Sequence, residues 1–313
     1  MGKNGALLAA LAAAIVDGFH PGVAARMQVG RSSARAGPQM HALPADVKGL
    51  VEEIRVATQE ALTARLSRID VELPLGMGLM SGEQAQDIHA SSRELARVYC
   101  EMFSQLEATS VVAFGTEALA LEARKAWGNA VRVKCVALTA GTVGKKERAL
   151  PAPGFGASPA SDKPAKKAPP GSVPAGTEIV FAVGPFDPPA LAAVEGIARG
   201  FGMDTLVVLL NAHLDNADQY ASAAQRDFFQ GGFARVFCFR PLKTSSDPPQ
   251  ELLVYRAHPG QWTLARMRAS GRPQAIAEQP GLFAREEIEQ ALSRAGPPAA
   301  SGALEAIGNF FGK

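Results

Sequence analysis

The run DTLVVLLN, from Asp204 to Asn211, limits what this chain can become more than any other stretch. Its five central residues are apolar on both faces of an extended backbone. A strand of that kind must be covered on both sides, which is the situation of a parallel sheet between helices. Similar runs recur as SVVAFG, TEIVFAVGP and ARVFCFRPL. Segments of helical periodicity separate them. ADVKGLVEEIRVATQEALTARL and GEQAQDIHASSRELARVYCEMFSQL carry apolar residues three and four apart. TEALALEARKAW, PPALAAVEGIARGFG and QYASAAQRDFFQ follow the same rule. Strand, helix, strand repeated in this way predicts an α/β fold. The expected architecture is a mostly parallel, doubly wound (Rossmann-like) sheet with helices on both faces.

Other strands are also legible. RIDVELP is a short strand stopped by Pro74. VRVKCVAL alternates, with Arg132 and Lys134 opposite Val133 and Cys135, which places it near an edge. ELLVYRAHPGQWTLARMR divides at HPGQ and reads as a C-terminal β-hairpin. REEIEQALSR is a terminal helix, and LEAIGNFFGK carries Leu304, Ile307, Phe310 and Phe311 on one side.

Three domain segments follow: a presequence over 1–41, one α/β domain over 42–297, and a C-terminal amphipathic helix over 298–313. Within the domain, residues 139–176 are rich in Pro, Gly, Ala and Lys and predict a disordered insertion. The strand–helix alternation resumes unchanged behind it. The presequence has an Ala/Leu run from Ala6 to Val16, too short for a bilayer, which needs about 20 residues. An acid-poor Arg/Ser segment follows it. In tandem the two resemble the bipartite presequences of multi-membrane plastids, with Phe19 near the first cleavage point. The expected location is the plastid (chloroplast), in the stroma or on the stromal face of the thylakoid.

The net charge is +2, yet residues 1–44 carry about +3 and residues 138–176 about +4. The remainder is therefore acidic, by about −5. Nucleic-acid binding needs a basic face on the folded part, so it is not expected. Cys100, Cys135 and Cys238 are three and widely spaced, as buried thiols of a reducing compartment would be. His20, His41, His89, His213 and His258 show no paired ligand spacing, and no metal site is expected. GTVGKK lacks the Walker A spacing, and Gly76, Gly78 and Gly82 miss the dinucleotide spacing by one. No cofactor and no catalytic residue is assigned.

Polar residues do collect at the carboxyl ends of the expected strands, where open parallel sheets bind ligands. They are Pro74 and Gly76, then Gly115, Thr116 and Glu117, then Asp187, and finally Asn211 and His213. The simpler role of Asn211 and Asp215 is to cap the turn after the strand.

RIDVELP, VVAFG, IVFAVGP, DTLVVLLNAHL, FARVFCFRPL and ELLVYRAHPGQWTLARM, in that order, resemble the DUF1995 domain over roughly residues 45–270. The most specific pieces are Glu72 and Pro74, Asn211, and Pro259, Gly260 and Trp262. Here Ala212 follows Asn211 where the family usually has proline. That family occurs in plastid and cyanobacterial proteins and includes low photosystem II accumulation factors. The resemblance implies a non-catalytic plastid factor assisting assembly, accumulation or stability of a photosynthetic complex. Its partners would be photosystem subunits or assembly factors, with peripheral thylakoid contact and no transmembrane segment. The alternative is a small-molecule or nucleotide-binding regulatory domain using the strand-end crevice.

Overall fold

The computed structural model describes residues 43–44, 47–73, 88–139, 173–184, 186–244, 249–268 and 273–296. The 1–41 presequence, residues 140–172 of the insertion and the 298–313 helix lie outside the described residues.

The apolar runs form the sheet. β1 is Arg68–Glu72, β2 Ser110–Phe114, β3 Lys134–Ala137, β4 Ile179–Val183 and β5 Leu206–Leu210. β6 is Ala234–Lys243, β7 Glu251–Ala257, β8 Trp262–Met267 and β9 Pro273–Gln279. They join in the order β3-β2-β4-β5-β1-β6-β7-β8-β9. The first six are parallel, and β7, β8 and β9 add on as an antiparallel meander. β2, β4 and β5 are buried along their whole length, as strands apolar on both faces must be. β3 holds the edge, with Lys134 exposed between neighbours that face inward. β3 and β4 both pair with β2, so the strands flanking the insertion share one sheet.

The helices are α1 (Val47–Thr63), α2 (Ile88–Met102), α3 (Glu117–Trp127), α4 (Pro188–Phe201), α5 (Ala223–Gly232) and α6 (Arg285–Ala295). α1, α2 and α3 cover one face, packing Leu50, Ile54, Leu95, Tyr99 and Trp127 on Val71, Phe181 and Val208. Tyr99, Phe103 and Phe181 interlock there with ring centroids 5.7–6.4 Å apart. α4 and α5 cover the other face, over Ala182, Val207 and Leu209. α6 lies on that second face too, but farther along, against Cys238, Val254 and Leu264. A strip above β1 and β6 is thereby left between α5 and α6.

Two features depart from the expected hairpin and strand ends. The C-terminal unit has a third strand, β9, paired along β8. PQAIAEQ has one β-branched residue and is half-exposed, so its own propensity is weak. Its strand character comes from the open backbone of β8. β6 runs through Pro241 to Lys243, past the point where β1 stops pairing at Cys238. Pro241 therefore sits where β6 has one ladder neighbour, which tolerates a missing N–H.

Candidate functional site

β1 alternates. Ile69 and Val71 face α1 and α2, so Asp70 and Glu72 must face the opposite side. Because β1 lies between β5 and β6, both carboxylates are interior, at 1% and 2% exposure. β6 supplies their counter-charges. Asp70 aligns with Arg235, and the register then shifts, placing Glu72 beside Cys238 and within reach of Arg240.

The Arg235 Nε is 2.5 Å from the Asp70 Oδ2, and its second nitrogen reaches Glu72 at 3.4 Å and Asp215 at 3.1 Å. Arg240 grips Glu72 with two donors at 2.5 Å each and donates to Asp215 at 2.6 Å. The His213 Nδ1 lies 3.1 Å from the Glu72 Oε1. Three carboxylates, two guanidinium groups and one imidazole thus form a single connected network.

The two strand carboxylates titrate in opposite directions. Burial pushes the Asp70 carboxyl up to about 6, overriding the attraction of Arg235. Arg235 is shared among three acids, so it stabilises each less than a dedicated partner would. Burial also penalises Glu72, but hydrogen bonds from His213 and Arg240 outweigh it and hold that carboxyl well below the usual range. The Cys238 thiol beneath them is pushed by burial to about 12 and stays neutral.

A raised carboxyl pKa makes stability fall as pH rises from the unfolded value near 3.8 through about 6. Two units correspond to roughly 3 kcal/mol at most. Denaturant titrations between pH 4 and pH 7 are expected to show this decline, and Asp70→Asn to remove it. An unchanged slope in the variant would place the titration elsewhere.

Asn211 and His213 stand where β5 ends, both in the left-handed region, with φ of 54° and 49°. Asn211 is 2% exposed, and its side chain acts as an extra strand residue. Its Oδ1 accepts from the Leu73 N–H at 2.7 Å, and its Nδ2 donates to the Leu73 carbonyl at 3.1 Å and the Ser92 hydroxyl at 3.3 Å. β1 is thereby tied to β5 one step beyond the ladder, and to α2. Gly184 passes so close that a Cβ there would lie 2.7 Å from the Asn211 carbonyl oxygen. His213 instead turns its ring toward Glu72.

The other residues singled out at strand ends serve local structure. Thr116 accepts from the Leu119 N–H and caps α3, and Asp187 accepts from the Ala190 N–H at 2.8 Å and caps α4. Glu117 pairs with Arg124 on the surface. The Gly115 carbonyl accepts from the Thr139 N–H at 3.1 Å. Pro74 and Gly76 lie outside the described residues. Connections leave β2 and β4 in opposite directions, so the topological switch lies between them. Among the described residues the space there, bounded by Phe114, Gly184, His89 and Arg93, is about 10 Å³, enough for one water.

A larger space of about 420 Å³ lies on the sheet face, in the strip between α5 and α6. Asp70, Arg235, Arg256 and Trp262 line it from the sheet, and Phe233 and Leu282 from its two sides. The Arg256 and Arg235 guanidinium groups lie 5.4 and 5.7 Å from the Trp262 ring centre. Sequence reasoning drew Glu72 and Trp262 only into a resemblance, and it did not assign Asp70, Arg235, Arg240 or Arg256. The usable signal was the acid alternation in RIDVE and the arginines of β6. It becomes readable only when β1 and β6 are known to be neighbours.

Among the described residues, no helix is long and apolar enough to cross a membrane. No curated protein and no solved structure matches this chain. A family model described as "Domain of unknown function (DUF1995)" matches residues 44–290, most of the chain. The chain belongs to the DUF1995 family.

Proposed function

We propose that this chain is a non-catalytic plastid factor that assists the assembly, accumulation or stability of a photosynthetic complex. It works from the stroma or the stromal face of the thylakoid, with photosystem subunits or assembly factors as partners. The observation that supports the non-catalytic part is that two of the site's three acids are occupied. Glu72 and Asp215 are held by arginines, and Glu72 by His213 as well. That arrangement fixes charge and shape and leaves neither carboxylate as an unencumbered base. The bipartite character of residues 1–41 supports the compartment.

The expected result is that the tagged full-length chain enters plastids, sediments in part with thylakoids, and that its loss lowers the level of a photosystem. A chain that remains outside plastids, or whose loss leaves every photosynthetic complex at its normal level, ends this reading. A second reading, a small-molecule-binding regulatory domain, is favoured by the 420 Å³ crevice. Its place would be the sheet face, not the strand ends.

A further inference from the structure

We propose that the crevice between α5 and α6 binds a small organic anion, a carboxylate or phosphate monoester on an apolar body, with Arg256 as the pairing cation. The inference rests on the second reading above and names the ligand class for that site.

The charges of the crevice are unevenly spent. Arg235 and Arg240 are committed to Asp70, Glu72 and Asp215. Arg256, on β7 opposite Cys238, faces the same space, and its Nε has no hydrogen-bond partner among the described residues. Its neighbours are the Trp262 ring and a second cation, Arg235, and burial together with that cation lowers its pKa. A half-buried arginine beside another arginine is relieved by an anion more than by any neutral group.

The rest of the wall fits an organic body rather than a bare ion. Trp262, Phe233 and Leu214 supply apolar surface, and Leu282 stands 36% exposed at the rim. Asp70 forms part of the wall at 1% exposure, and its Oδ1 has no hydrogen-bond partner among the described residues. An isolated buried acceptor of this kind is completed by a donor from water, since the anionic group of the ligand has none to give. The space is within the range of small-molecule sites.

The test is isothermal titration of the full chain with benzoate, phenyl phosphate and benzamide, the last being a neutral isostere of the first. At least one of the two anions is expected to bind saturably, and at least tenfold more tightly than benzamide. Arg256→Gln should weaken that anion at least tenfold, while Arg268→Gln, at an exposed position just past the far end of β8, should not. Matching thermal midpoints establish that both variants are folded. Binding by phenyl phosphate alone supports the proposal and narrows the anion to a phosphate. No binding of either anion, equal binding of benzamide, or full affinity in the folded Arg256→Gln variant overturns it. None of these outcomes bears on plastid entry or thylakoid association, so the two readings fail separately.

Discussion

Glu72→Gln is expected to lower the unfolding free energy by about 3–5 kcal/mol, the usual result of removing one partner from a buried ion pair. Glu72 is 2% exposed and accepts from both Arg240 donors and from His213. The amide keeps the volume but loses the charge. Among the described residues Arg240 then keeps Asp215 as its counter-charge, and Arg235 loses the charge it meets at 3.4 Å. The check is a denaturant midpoint at pH 7, with the double variant Glu72→Gln, Arg240→Leu beside it. The double variant is expected to recover part of the loss, because it also removes the cation left behind. A single-variant loss below about 1 kcal/mol would mean the network contributes no more than exposed pairs do.

Asn211→Ala is expected to cost about 3–7 kcal/mol. The substitution strands the Leu73 N–H and carbonyl, each a buried backbone group that costs roughly 1–3 kcal/mol when unsatisfied. Alanine at φ 54° adds about 1 kcal/mol of backbone strain. Asn211→Gly separates the two effects, since glycine accepts that φ yet restores no hydrogen bond. It should therefore be destabilised, but less than Asn211→Ala. Equal stability of the glycine variant and the parent would show that the side-chain bridge to β1 carries no weight. Gly184, whose close approach is to the Asn211 main-chain carbonyl, is not disturbed by either change.

Both predictions concern β1, where local sequence says least about neighbours. RIDVE declares a strand with two acids on one face. It does not declare that the strand is central, and a strand with Asp70 and Glu72 reads more easily as one washed by solvent. The sheet order resolves this. β1 is enclosed by β5 and β6, segments more than 130 residues away along the chain, and its acids meet the arginines of β6. Asn211 shows the same limit. Its place after LVVLL marks it as a turn residue. Its actual partner, Leu73, is known only once β1 and β5 are side by side.

Thr116 and Asp187 are the opposite case. Each precedes a helical segment and each caps it, a role decided within four residues. The parallel strands and the edge position of β3 were legible for the same reason, since periodicity and backbone chemistry are local. The sequence by itself therefore determined the strands and helices other than β9, and that the sheet is mostly parallel and covered on both faces. Tertiary structure alone decided that β1 lies inside the sheet, that α5 and α6 leave a strip of its face open, and that Arg256 stands there beside Arg235. The physical reason is that a charge's meaning depends on its neighbour and its dielectric, and pairing across a sheet sets both.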